Sequence, residues 1–223
     1  MNRFEPTVSY IVDFAKKLLA IPSPSGYARE AIAFVEAEAT KLGYLSERTK
    51  KGNLVVSVPG RTAEVLGLSG HVDTLGAMVR SIASDGTLRF TPIGGPQWPT
   101  LDGEYCFVRT RDGKLIAGTI LSLSPSSHVY KDANTIERTP DKMMIRLDAL
   151  VSNKSDVEKL GIENGDFVFI DPKTVYTESG FLKSRFLDDK ASVAILFGYL
   201  HHLKEFGLTP RQTLKIIVST YEE

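Results

Sequence analysis

The chain has 223 residues, with 27 Lys and Arg against 27 Asp and Glu and a single cysteine. Balanced charge offers no electrostatic footprint for nucleic acid or an anionic membrane surface, and Cys106 standing alone excludes an internal disulfide and a cysteine-built zinc site. No stretch reaches the roughly 18 consecutive apolar residues of a membrane span, and the first six residues lack the apolar core of a signal peptide, so the sequence reads as cytoplasmic, with a small molecule or another protein as partner.

Val8, Ile11, Val12, Ala15, Leu18 and Leu19 recur at helical spacing, and Ile21-Pro22-Ser23-Pro24-Ser25-Gly26 breaks that helix into a loop. A second helix is predicted over 27–42, with Ala31, Phe34, Val35 and Leu42 on one face and Gly43 as its stop. Runs at 44–48, 53–58 and 65–69, bounded by Gly52, Pro59-Gly60 and Gly70, predict strands, with His71 just past the last. From about Gly76 the texture changes to short alternating runs at 78–83, 88–93, 105–110, 115–121, 143–147 and 167–170. Asp85-Gly86 and Asp112-Gly113 are hairpin signals between such runs, and the whole predicts a small β-barrel. One short helix interrupts it, with Ser155-Asp156-Val157-Glu158 spaced as a capping box. After Pro172 a helix is predicted over 188–204 with Ala191, Ala194, Ile195, Gly198, Tyr199 and His202 or Leu203 buried, followed by an apolar run at 214–220 of the kind buried on both sheet faces. The fold class is therefore α/β: one α/β domain over 1–75 and 173–223, interrupted by an inserted β-barrel over 76–172.

Chemistry collects where the α/β part leaves its strands, because ligands in open α/β sheets gather outside the strands' carboxyl ends. In His71-Val72-Asp73 an extended backbone puts residues two apart on one side, so the Asp73 carboxylate can accept from the ring nitrogen that faces away from a metal. In Glu222-Glu223 alternation sends neighbouring carboxylates in different directions, so one can hold metal while the other faces water and moves a proton. Asp188 has two oxygens with which to bridge a pair of ions. Each has a plainer reading: His71 as a satisfied strand-end histidine, Asp188-Asp189 as a helix N-cap, and Glu222-Glu223 as a solvated end. His201 and His202 are helix neighbours facing different ways, and His128 lies in a polar loop with no nucleophile elbow nearby, since Gly67-Leu68-Ser69-Gly70 does not complete one.

At these residues the sequence resembles the tetrahedral (TET) and glutamyl aminopeptidases of the di-zinc aminopeptidase clan. The resemblance rests on Ser69-Gly70-His71-Val72-Asp73-Thr74-Leu75-Gly76, on Phe186-Leu187-Asp188-Asp189-Lys190-Ala191 and on Ser219-Thr220-Tyr221-Glu222-Glu223. Within the insert, Ile93-Gly94-Gly95, the 113–118 strand pair and the stretch from Val151 to Asp166 extend it, in the same order. It implies a metal-dependent aminopeptidase that removes N-terminal residues from short peptides. By the same resemblance His71 binds one divalent ion, Asp188 bridges two, Glu223 binds the other, Glu222 is the general base and Asp73 orients His71. The ions are zinc foremost, with cobalt or manganese as alternatives.

The resemblance further implies a cis peptide between Asp188 and Asp189, and a homo-oligomer whose dimers, joined through the barrel, build a dodecamer. It calls for another Asp and another His beyond position 223, so the chain is read as a catalytic domain incomplete at its C-terminus, weakly active or inactive alone. Two other classes are carried beside it: a non-catalytic truncated subunit acting in assembly or binding, and a glycoside hydrolase such as an endoglucanase. The latter needs carboxylates flanking a sugar at about 5 to 9 Å.

Overall fold

The computed structural model describes residues 5–223, and none of its helices is long and apolar enough to cross a membrane. In chain order the elements are α1 (Glu5–Leu19), α2 (Arg29–Lys41), β1 (Leu45–Arg48), β2 (Leu54–Val58), β3 (Thr62–His71), β4 (Gly76–Ile82), β5 (Leu88–Ile93), β6 (Tyr105–Arg109), β7 (Leu115–Ser122) and β8 (Met143–Leu147). Then follow α3 (Lys154–Lys159), β9 (Phe167–Ile170), β10 (Val175–Tyr176), β11 (Leu182–Lys183), α4 (Leu187–Glu205) and β12 (Gln212–Ser219). They form two compact units, Met1–Thr74 with Pro172–Glu223, and Leu75–Asp171.

The first unit is built on a mixed sheet in the order β1-β2-β12-β3, with β12 antiparallel to β2 and parallel to β3. Register places Leu214 opposite Val58, Ile216 opposite Val56 and Val218 opposite Leu54, and all six side chains are buried. One face of the sheet thus carries the core. The expectation that the 214–220 run is buried on both faces does not hold. Lys215 and Ile217 alternate out to a half-buried face, where the Lys215 ammonium donates to Ser57 Oγ. Above the core face Phe14 of α1 stacks on Phe197 of α4 at 4.8 Å and tilts against Phe34 of α2 at 5.2 Å.

The buried stripe of α4 is rotated from the predicted one: Lys190, Val193, Ala194, Phe197, Leu200 and Leu203 face inward, whereas Ile195 and Tyr199 are exposed. Gly198 explains the angle, because a Cβ there would lie 2.1 Å from Ile11 Cγ1, so α1 sits directly over it. His201 and His202 belong to this packing, the first stacked on Tyr10 at 4.1 Å and the second bonded to Thr7 Oγ1 at 2.9 Å. The β10–β11 hairpin leaves no sequence signal, because its two-residue strands are too short to show a period.

Gly60 marks the closest approach of two chain segments in the sheet. A Cβ there would meet the Gln212 carbonyl carbon at 2.2 Å and the Thr213 nitrogen at 2.4 Å, so β12 would have to move. Gly60→Ala is expected to destabilise the unit by roughly 2–3 kcal/mol, the upper range for overpacking. Gly67→Ala, with nothing within 4 Å, serves as the neutral control in the same denaturant titration.

The second unit is a closed barrel in the order β4-β5-β8-β7-β6-β9. Its six strands lie where the six alternating runs are, and Gly86 and Gly113 take φ +82° and +93° in the two Asp-Gly turns joining antiparallel neighbours. The α3 cap is displaced from the expected Ser155/Glu158 pair: Asn153 Oδ1 accepts from the Asp156 amide, and Asp156 Oδ2 accepts in return from Ser152 N. Alternation along β6 buries Cys106 and Val108 and exposes Tyr105 and Phe107.

Burial pushes the Cys106 thiol up to about 12, with the Asp148 carboxylate adding to it. The thiol therefore stays neutral and enclosed in the native barrel at pH 9, where an unfolded cysteine is largely ionised. Because the folded value is raised, this group's contribution to stability is present below pH 9 and lost as pH rises through 12. Iodoacetamide at pH 9 is expected to leave Cys106 unmodified until denaturant opens the barrel. Mass spectrometry across the unfolding transition checks this, and modification of the native chain would contradict it.

Candidate metal centre

The chemistry-bearing residues of the first unit converge at the carboxyl ends of β3 and β12. His71, only 6% exposed, is the last residue of β3, and its main-chain N–H donates to Asp189 Oδ2 at the start of α4. Gly70 permits this approach: a Cβ there would sit 3.0 Å from Asp189 Oδ2 and 3.1 Å from Val193 Cγ2. The imidazole Nδ1 lies 3.0 Å from the Asp73 main-chain oxygen. A carbonyl can only accept, so Nδ1 carries the proton and Nε2 presents its lone pair. Nε2 lies 3.3 Å from Asp188 Oδ1 and 3.6 Å from Glu222 Oε2.

Asp73 is fully buried, and its role differs from the expected one. The hydrogen bond that orients His71 goes to its carbonyl. The carboxylate Oδ1 stays 3.4 Å from Nδ1 without a hydrogen-bond partner. Oδ2 does the heavier positioning, accepting from the Ser25 hydroxyl and from the amides of Glu222 at 2.9 Å and Glu223 at 3.2 Å. One buried residue thereby fastens both ends of the candidate centre, His71 through its carbonyl and Glu222-Glu223 through its carboxylate.

Those two amides also explain why the predicted alternation fails. β12 ends at Ser219, and Tyr221 takes φ +65°, so Glu222 and Glu223 lie on irregular backbone beyond the strand. Both point toward His71: a donor atom from each of His71, Glu222 and Glu223 lies within 4.8 Å of the others. The segment is held from behind by Asn53 Oδ1, which accepts from the Thr220 amide at 3.1 Å and its hydroxyl at 3.0 Å. Asp188 stands beside the group, its side chain 88% exposed. Asp188 and Asp189 have non-helical backbone angles and are joined by a cis peptide, so the regular helix begins beyond them.

Four supporting residues were not legible as such. The Pro-Ser-Pro-Ser-Gly segment read only as a helix breaker, yet Ser23 Oγ donates to the Val72 carbonyl and Ser25 holds Asp73. Asn53 read as a strand boundary. Lys190, at 1% exposure, donates to the Leu18 and Ile21 carbonyls at 3.1 and 2.6 Å, tying α4 to the end of α1, and burial lowers its pKa to about 7.

The donor set fits a divalent cation. Imidazole and carboxylate are the ligands that zinc, cobalt and manganese accept. Burial opposes protonation of His71, but the Asp73 carbonyl and the carboxylates of Asp73, Glu222 and Asp189 outweigh it and raise its pKa. Burial likewise raises that of Glu223, against the pull of His71 and with Glu222, Asp188 and Asp73 adding to it. So much unneutralised negative charge around one imidazole is what a bound cation would offset.

Comparison with known proteins gives the family. A sequence profile described as M42 glutamyl aminopeptidase matches residues 52–223. The chain belongs to that family. A Bacillus subtilis protein provisionally named aminopeptidase YhfE is 43% identical over 218 residues, covering 97% of this chain and 63% of that protein. Among solved structures, aminopeptidase APDkam598 from the archaeon Desulfurococcus kamchatkensis matches with a TM-score of 0.84 at 25% identity, over 96% of this chain and 57% of that one. The Pyrococcus horikoshii TET1 peptidase, whose structure is described as assembling into a tetrahedron or a large octahedral shell, shares the fold with a TM-score of 0.77 at 22% identity, over 94% and 61% of the two chains. The chain thus spans 57–63% of the length of these M42-type relatives.

Proposed function

We propose that the chain carries part of the catalytic centre of a metal-dependent aminopeptidase acting on short peptides in the cytoplasm. The observation that carries this reading is the meeting of His71, Glu222 and Glu223 donor atoms within 4.8 Å, next to Asp188. His71, Glu223 and Asp188 would hold divalent ions, zinc foremost. A divalent ion held there supplies Lewis acidity toward water and toward the scissile carbonyl.

The chain's own residues do the rest. Asp73 keeps the His71 proton on Nδ1 and anchors the Glu222-Glu223 segment. Glu222, whose side chain is 62% exposed, faces solvent and takes the proton of the attacking water, then returns it to the leaving amine.

We further propose a homo-oligomer, as described for the Pyrococcus TET1 peptidase. Support comes from the outer face of β6 and β7, where Tyr105, Phe107 and Leu115 are exposed on one side of the barrel by their paired register.

Calorimetric zinc titration tests the centre. The chain is expected to bind zinc saturably and His71→Ala to abolish that binding. Hydrolysis of an amino-acyl p-nitroanilide by this chain alone is expected to be weak, to depend on added zinc and to stop with chelator. A wild-type isotherm indistinguishable from that of His71→Ala would overturn the reading.

A further inference from the structure

A second concave site lies in the same unit, on the other flank of the segment that delivers Glu222 and Glu223. It is a cavity of about 140 Å³ walled by three separate stretches: Gly26 to Ile32, Arg48 to Gly52, and Thr220-Tyr221. That space holds several waters or one small oxyanion with a short stem.

Three of its lining residues are cations, Arg29, Arg48 and Lys51, and none is acidic. Arg48 already has a partner, its Nε donating to Glu36 at 3.0 Å. Among the described residues Arg29 and Lys51 form no ion pair, although each comes from a different chain segment and both line the same hollow. Beneath them the floor is apolar, with Ile32 at 1% and Ala28 at 7% exposure. Cationic walls over an apolar floor suit a carboxylate borne on a short carbon stem, which pairs its charge above and buries its stem below. The wall shared with the metal centre is fixed, because the Thr220 hydroxyl is already committed to Asn53 Oδ1.

We propose that this cavity is an anion site for a small carboxylate or equivalent oxyanion, bound by Arg29 and Lys51. The site stands on its own geometry and does not rest on the peptidase reading. Two sources supply the chemistry, the C-terminal carboxylate of a short peptide and a free oxyanion such as inorganic phosphate.

Thermal unfolding of the chain, freed of metal beforehand by dialysis against chelator and then against chelator-free buffer, is measured against glycylglycine, glycylglycinamide and inorganic phosphate, at ionic strength held constant with sodium chloride. Saturable stabilisation is expected from a ligand that binds the folded chain. Glycylglycine acting where glycylglycinamide does not would assign the site to the peptide carboxylate, and phosphate acting alone would assign it to a free oxyanion. Arg29→Gln combined with Lys51→Gln, both at exposed positions, should raise the half-saturating concentration about tenfold or more, as the loss of charge-assisted hydrogen bonds predicts. The charge-keeping pair Arg29→Lys with Lys51→Arg should retain binding and shows that any loss is not misfolding. No saturable effect from any of the three compounds, or the same half-saturation in the glutamine variant, would overturn the assignment.

Discussion

Glu222→Gln is expected to lower metal-dependent amide hydrolysis by about 10²–10⁴-fold, the usual contribution of a positioned acid or base, while zinc binding persists. The two neighbouring glutamates make this a sharp test, because both reach toward His71 and sequence order alone does not say which is base and which is ligand. Their surroundings separate them. The Glu222 side chain is 62% exposed, where it can meet a water and a leaving amine. The Glu223 carboxyl is pushed upward, by burial first and by the neighbouring carboxylates Glu222, Asp188 and Asp73, with His71 pulling against them. A cation bound to Glu223 would relieve that burden, so the Glu223→Gln variant should lose zinc affinity and activity together. Calorimetry and initial rates on both variants distinguish the roles. A Glu222→Gln variant that loses zinc as completely as Glu223→Gln, or that keeps its rate, would reverse or remove the assignment.

What the sequence made legible follows from the range of the interactions involved. The barrel strands could be read because they follow local alternation and two of their hairpins close on Asp-Gly turns whose glycines, Gly86 and Gly113, take positive φ. His71-Val72-Asp73 could be singled out because two-residue spacing at a strand end carries geometric information. The support around it could not. Ser25 reaches Asp73 across 48 positions, Asn53 reaches Thr220 across 167, and Lys190 reaches Ile21 across 169, and no local period encodes such pairs. Where local rules were applied beyond their range they failed for identifiable reasons. Strand alternation was extended through Glu222-Glu223, but Tyr221 turns the chain out of the sheet. The stripe on α4 was set by hydropathy, which cannot anticipate that a lysine at 1% exposure would find two carbonyl acceptors at the end of α1.

Asp73→Asn should weaken zinc binding by about 10–100-fold, the range found when a residue that orients a metal-binding histidine is replaced. Asn can keep its amide oxygen where Oδ2 accepts from Ser25 and from the amides of Glu222 and Glu223, although without charge those three bonds weaken. Its NH₂ then occupies the place of Oδ1, 3.4 Å from His71 Nδ1, and that nitrogen already bears the proton it donates to the Asp73 carbonyl. Two donors face each other, so the imidazole must tilt and Nε2 leaves its line toward Asp188 and Glu222. Flipping the amide relieves His71 but sets donors against the Glu222 and Glu223 amides instead. Either rotamer spoils one end of the centre. Ser25→Ala, which removes one of the three bonds to Oδ2 and leaves the charge, should cost only about 1 kcal/mol of stability and little zinc affinity. Zinc isotherms and denaturant titrations of the two variants, read side by side, decide the matter. Equal zinc affinities for wild type and Asp73→Asn would show that the carboxylate holds the Glu222-Glu223 segment but has no hold on the metal site.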